Sequence, residues 1–323
     1  MTARCLVVHP GSLGDVLLAG PALAHLRTLG FRTTLAVTSR LVPLFAGSRM
    51  VDDARDLETL ALHRLFVEPL VPGALAPVQG FDAIVCWLGA GDAAFRTNLA
   101  RVGRPMVIAR AQPLPGAGAH VSRHLVDTLE PLGPVPSGLP STRLHATQAA
   151  RASAAAWLAG RGIERGEAVV LQPGAGSPAK AWPGFASLAR RLGDAGLPIL
   201  ALAGPADGPV VEALLASGAV AEDRLARDWP LVEIAGLLSL ARATVGIDSG
   251  PTHLAAAIGC PTVAVFGPTD PLVWSPVGPG VKTLGGPVDG TRWPDVHRVE
   301  SEVRAILAAG PRVDVPPRPA GVR

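Results

Sequence analysis

Three short stretches carry residue types that can do chemistry. The first is HPGSLGD, residues 9–15, where Gly11 and Gly14 allow a tight turn and Asp15 stands at a helix start. A carboxylate there can serve as a general base if a substrate hydroxyl reaches it. It can equally be an acidic first-turn residue favoured by the helix dipole. The second is LQPGAGSPAKAWP, residues 171–183. Gly174, Gly176 and Ser177 make a flexible, donor-rich loop, and Lys180 could meet a phosphate as a point charge or stay a solvated surface lysine. The third is GIDSGPTH, residues 246–253. A helix that opens straight after a strand presents free N–H groups and a positive dipole end, which is an anion site. Gly250 removes a side chain where a phosphate would approach. Ser249 and Thr252 add hydroxyls, and His253, one turn after Ser249, can face the same ligand. Asp248 can accept from sugar hydroxyls or simply cap the turn.

These stretches need strands to end at one edge and helices to begin there. Ala243–Ile247 and Thr262–Phe266 are short, β-branched apolar runs that read as buried strands. Pro251 suits a first helical position and Gly259 a helix stop. Leu6–His9, Thr33–Val37, Phe81–Leu88, Pro105–Ala109, Ala168–Gln172 and Pro198–Ala203 also read as strands. Helical patterns fall between them: one from Asp15 to about Gly30, then 41–45, 57–66, 92–102 and 120–132. Others follow at 146–159, 183–195, 208–216, 231–240 and 301–309. Such alternation predicts parallel sheets covered on both faces. The Pro- and Gly-rich segment 133–140 reads as a linker, and the Pro-rich end of the chain as a loose tail.

The 323 residues suffice for two domains. With 48% hydrophobic and 17% charged residues a substantial core is expected. A net charge of +3 with dispersed basic residues suits an anionic ligand or a membrane surface but is no nucleic-acid signature. Cys5, Cys86 and Cys260 fall in or beside strands and read as buried free thiols, with no metal site. No apolar run is long enough for a signal peptide or a bilayer span, so a cytoplasmic protein is expected. The spacing G-x-x-G at residues 11–14 departs from the dinucleotide fingerprint, and Lys180 lacks the flanking residues of a P-loop.

Together GDVLLAGPALAHLR (14–27), LQPGAGSPAKAWP (171–183) and VGIDSGPTHLAAAIGCPTVAVFGPTDP (245–271) resemble the ADP-heptose:lipopolysaccharide heptosyltransferases of glycosyltransferase family 9. One departure is Gln172, where many members carry His before Pro-Gly. The resemblance implies a GT-B fold, two Rossmann-like domains facing across a central cleft. Residues 1–145 would form the acceptor domain and 146–300 the nucleotide-sugar domain. Residues 301–323 would form a helix packing back toward the first domain, plus the tail. It also implies an inverting transfer without a metal or other cofactor. Asp15 would be the base, and Lys180 a catalytic ligand of the diphosphate or sugar. Gly174, Gly176, Ser177, Asp248, Ser249, Gly250, Thr252 and His253 would line the donor site, with Ser12 and Gly14 on the acceptor side. The implied partners are an ADP-sugar co-substrate and a glycolipid or glycoside acceptor. The protein would act as a monomer, with room for peripheral contact at the inner membrane. Another nucleotide sugar or a soluble acceptor fits the same motifs. A nucleotide-binding module or dehydrogenase is the reading from another class, and the missing fingerprint argues against it. His120 and His124, four apart on one helical face, and Asp207 are weaker candidates for substrate contact.

Overall fold

The computed structural model describes residues 2–174, 178–205, 207–287 and 293–309. Two all-parallel sheets organise the chain. The first comprises β1 (Arg4–Val8), β2 (Arg32–Val37), β3 (Asp53–Asp56), β4 (Ala83–Cys86) and β5 (Met106–Ile108), in the order β3-β2-β1-β4-β5. Its helices are α1 (Leu13–Leu18), α2 (Gly20–Thr28), α3 (Val42–Ala46), α4 (Ala93–Ala100) and α5 (Val121–Asp127). After the linker, α6 (Gln148–Ala159) leads to β6 (Val169–Gln172), α7 (Phe185–Asp194), β7 (Ile199–Ala203), α8 (Gly208–Ala216) and β8 (Leu225–Arg227). Then come α9 (Leu231–Leu238), β9 (Ala243–Ile247), α10 (Gly250–Ile258), β10 (Thr262–Phe266), α11 (Pro271–Trp274), β11 (Val281–Gly285) and α12 (Val296–Ala308). The second sheet runs β11-β10-β9-β6-β7-β8.

The period-two alternation of strands sorts their side chains between two layers. Along β1, Cys5 and Val7 enter a core shared with the second half, while Leu6 and Val8 enter the first sheet's outer core. Along β6, Val170 faces the shared core, and Val169 and Leu171 the second sheet's outer core. The shared core runs from Leu13 and Val16 of α1, through Leu144 in the connection before α6, to Leu254 and Ala255 of α10. The two sheets are therefore fused at the floor of the space between them.

Several local details differ from the sequence reading. The helix read from Asp15 to about Gly30 is two, α1 and α2, because Pro21 near the start of α2 cannot donate back into the preceding turn. Residues 57–65 form two 3-10 turns split at Ala61, whose φ is 47°. The final helix starts at Val296, and its main packing among the described residues is against α7, β9 and β10. Val299 and Val303 sit in the second sheet's outer core. The Pro-rich tail lies outside the described residues. The three cysteines are free and buried, and burial pushes their thiols up to about 12.

Candidate active site

In each sheet the strand order reverses beside a strand that feeds one of the three stretches. That point lies between β1 and β4 in the first sheet, and between β6 and β9 in the second. Crevices at such switch points are where open parallel sheets bind ligands. Here the two switch points face one cleft of about 860 Å³.

Asp15 lies in the first turn of α1, behind Ser12 in extended conformation. The Ser12 backbone N–H donates to Asp15 Oδ2 at 2.9 Å and its hydroxyl to the same oxygen at 2.7 Å. Among the described residues Oδ1 is faced only by Gln112 Nε2, at 3.4 Å. Upstream, the Gly11 N–H donates to His9 Nδ1 at 3.1 Å. His9 is fully buried, edge-on to Trp87, and its Nε2 has no partner among the described residues. Burial holds the His9 imidazole down at about 4, against the opposing pull of the Asp15 charge. A Cβ on Gly11 would stand 2.6 Å from Asp15 Cβ, so this turn admits only glycine as built.

Across the cleft, Asp248 ends β9. Lys180 Nζ donates to its Oδ2 at 2.7 Å, and His253 Nε2 lies 3.4 Å from Oδ1. Burial pushes the Asp248 carboxyl up, but hydrogen bonds and charge from His253 and Lys180 outweigh it and hold it at about 2. Lys180 reaches this pair from a 3-10 turn at Pro178–Lys180, with 30% of its side chain exposed. Two bonds to Asp248, one through its carbonyl at 3.4 Å, leave an ammonium proton for a ligand. Ser249 precedes α10, and Gly250 and Pro251 open it at the cleft. Gly259, at φ 89°, ends that helix.

The cleft brings together Ser12, Gly14, Asp15, Gly174, Lys180, Asp248, Ser249, Gly250 and His253. Thr252 is not among them. It is fully buried, its hydroxyl 3.1 Å from that of Ser249, and it fills the space a Gly246 side chain would need. Gly250 also has a different reason from the one expected. The nearest atoms to a Cβ there belong to Leu13, at 3.0–3.3 Å, so this glycine lets α1 and α10 meet. Gly14 does the same from the other side, against His253 at 3.3 Å. Gly176 and Ser177 lie outside the described residues. Gly174 leaves room for Asp207, which lines the cleft and accepts from the Gly204 N–H at 2.9 Å. His120 and His124 do not line it. His120 caps α5 and meets the Ser275 carbonyl at 2.9 Å, and His124 meets that of Arg110 at 2.9 Å.

Other residues also line the cleft. Arg40 and Pro43 border the first-half wall, and Trp229 and Trp274 the second-half wall. Gln172 donates to the Gly174 carbonyl at 2.7 Å, leaving its buried Oε1 unpartnered. His253 Nδ1 and Thr269 Oγ1 are likewise buried without partners among the described residues. Those three atoms are polar groups with unused capacity for a ligand. No cluster of three or more His, Cys, Asp or Glu suited to a metal ion occurs among the described residues. Nor is any described helix long and apolar enough to cross a membrane.

Comparison with known proteins agrees with this geometry. A crystal structure of a glycosyl transferase family 9 protein from Veillonella parvula superposes with a TM-score of 0.76 at 17% identity, covering 95% of this chain and 98% of that one. The ADP-heptose lps heptosyltransferase II of E. coli superposes with a TM-score of 0.70 at 20% identity, covering 95% and 99%. These likenesses show the GT-B fold of two Rossmann-like units. Lipopolysaccharide heptosyltransferase 3 of Escherichia coli K12 is 32% identical over 113 residues, 33% of each protein. The chain thus matches about a third or less of the length of its curated relatives. The sequence profile described as glycosyltransferase family 9 (heptosyltransferase) matches residues 120–303, from α5 to α12. That is more than half of the sequence and takes in the Lys180 and Asp248 motifs, and on it the chain belongs to glycosyltransferase family 9.

Proposed function

We propose that this chain transfers a heptose from ADP-heptose to an acceptor of the lipopolysaccharide inner-core type, inverting the anomeric carbon and using no metal ion. Residues 1–145 present the acceptor and residues 146–300 hold the donor, in a monomer. The observation that carries this reading is that Asp15 shares one cleft with Lys180 and the start of α10. A single displacement needs those two things on opposite sides of the sugar: a base for the acceptor hydroxyl, and positive charge for the departing diphosphate.

The two acids of the cleft divide the work. Hydrogen bonds from His253 and Lys180 hold Asp248 at about 2 against its burial, so it is a poor proton acceptor and a good anchor. Asp15 Oδ2 is taken by Ser12, and Oδ1 is open to a hydroxyl. Oδ1 takes the acceptor proton as the acceptor oxygen bonds to the anomeric carbon. The bond from that carbon to the diphosphate breaks on the opposite face, through an oxocarbenium-like state. Lys180 and the N–H groups opening α10 receive the negative charge on the leaving ADP. Gly174, Ser249 and His253 border the sugar and its phosphates, and Gly176 and Ser177 are assigned to the same side on sequence alone. Ser12 and Gly14 shape the acceptor side. The name of the E. coli relative, ADP-heptose lps heptosyltransferase II, supports the choice of donor and acceptor.

Mass spectrometry and NMR of products made from ADP-heptose and inner-core acceptors test this. One added heptose, with its anomeric configuration opposite to that of the donor, is expected. Retained configuration contradicts the single displacement, and transfer only from another nucleotide sugar contradicts the donor.

A further inference from the structure

His9 is a buried group that the proposed reaction leaves unused. It follows the last residue of β1 and has no exposed surface. Its backbone N–H donates to the Ala36 carbonyl at 3.0 Å, which fixes where the side chain starts. Its ring packs against that of Trp87, with centroids 5.5 Å apart and planes at 70°. Trp87 is itself pinned, its Nε1–H donating to Thr128 Oγ1 at 3.0 Å.

The imidazole makes one hydrogen bond among the described residues, accepted by Nδ1 from the Gly11 N–H at 3.1 Å. A backbone N–H can only donate, so Nδ1 carries no proton and the neutral ring keeps its proton on Nε2. That Nε2–H is buried with no partner among the described residues. An unpaired buried donor costs as much as an ordinary hydrogen bond contributes, or more. A Phe would fill the slot beside Trp87 without that cost. What His9 supplies and Phe lacks is the acceptor at Nδ1.

That acceptor works on a turn. A side-chain acceptor holding the N–H two residues on is the arrangement Asn and Asp make in an Asx turn. Here it fixes the bend at Gly11, from which Ser12 enters in extended conformation and gives both its donors to Asp15 Oδ2. The pieces are in close register. A Cβ on Gly11 would stand 2.7 Å from His9 Cε1 and 2.6 Å from Asp15 Cβ, so ring and carboxylate stem close on the same face of one glycine. A turn that slips carries Asp15 with it, and a base misplaced by about 1 Å can lose on the order of 100-fold in rate.

We propose that His9 is a positioning residue, whose Nδ1 sets the turn at Gly11 that holds Asp15 at the cleft. The inference rests on Asp15 being the base.

The test compares three side chains at position 9. Asn puts an acceptor oxygen where Nδ1 stands, Gln carries its amide farther out near Nε2, and Phe has no acceptor. Single-turnover heptosyl transfer from ADP-heptose is expected to fall about tenfold in His9→Phe and His9→Gln, with ADP affinity within about twofold of wild type. His9→Asn is expected to stay within about threefold of the wild-type rate. Chemical denaturation should order the variants the other way, with His9→Asn less stable than His9→Phe because it leaves a cavity beside Trp87. A role in packing alone would make activity follow stability. Added to Asp15→Ala, His9→Gln should lower the residual rate less than about twofold, while added to Lys180→Ala it should still cost about tenfold. The contrast of Asn with Gln keeps the test valid if His9→Phe fails to fold. Wild-type transfer by His9→Phe or His9→Gln, His9→Asn no faster than His9→Gln, or a full tenfold loss on top of Asp15→Ala overturns the proposal. Failure of the reading beneath it looks different: Asp15→Ala near the wild-type rate, or a parent chain inactive with ADP-heptose, overturns that reading and this proposal with it.

Discussion

The starts of α1 and α10 are the same device used twice: a parallel strand, a tight turn, an acid, and a helix opening at a switch point. The two acids nevertheless live differently. Asp15 is half-buried, held on one oxygen by Ser12, and has no cation bonded to it among the described residues. Asp248 is buried and clamped between Lys180 and His253. In the proposed mechanism the neighbours supplied by each half divide the roles, with Asp15 as the base and Asp248 as the anchor. The glycines that let the helices meet, Gly14 and Gly250, set the two acids on either side of one seam.

Removing the acid on the α1 side should have the largest effect. Asp15→Ala is expected to lower single-turnover heptosyl transfer by about 10²–10⁴-fold, the usual contribution of a general base. A rate within a few-fold of wild type would remove Asp15 from the reaction.

Acid should then separate the two sides. The folded His9 titrates at about 4, below its ordinary 6.5, so the unfolded chain binds the proton more readily. Stability is full above about pH 6.5, and about 3 kcal/mol of it is lost as pH falls through 4. The folded Asp248, at about 2 against 3.8, contributes above 3.8 and loses about 2 kcal/mol as pH falls through 2. Denaturant midpoints measured across pH should show the upper step vanish in His9→Phe and the lower one in Asp248→Asn. A single step indifferent to both variants contradicts this separation.

On the α10 side, Lys180→Ala is expected to cut the kcat/KM for the donor about tenfold, with the rest of the charge carried by the helix start. Unchanged donor kinetics would assign Lys180 to holding Asp248 alone. The seam itself gives the smallest effect. A Cβ at Gly250 must move Leu13 by a few tenths of an ångström, so Gly250→Ala should cost about 1 kcal/mol in chemical denaturation. A stabilised variant would show the seam to be loose.

Much of this was legible where the chain punctuates itself. The β-branched run Ala243–Ile247, then Ser-Gly-Pro, then Gly259, marks β9 and α10 with almost the observed bounds. The acids Asp15 and Asp248 stand out because both follow apolar strands. The edge strands β3 and β8 escaped notice because Asp-Ala-Arg-Asp and Leu-Ala-Arg carry no buried-strand pattern. Gln112 could not be found either, since its approach to Asp15 spans 97 residues. The burial of Thr252 and the packing at Gly250 were beyond the sequence for a common reason. A helix start shows which residues are near a ligand site, but only the opposing half shows that Leu13 fills the space beside Gly250.

The division between the two acids is tested most directly by titrating ADP calorimetrically against Asp15→Ala and Lys180→Ala side by side. The account predicts affinity within about twofold of wild type for Asp15→Ala, and about tenfold weaker for Lys180→Ala. Equal weakening in both variants, or weakening in Asp15→Ala alone, would contradict it.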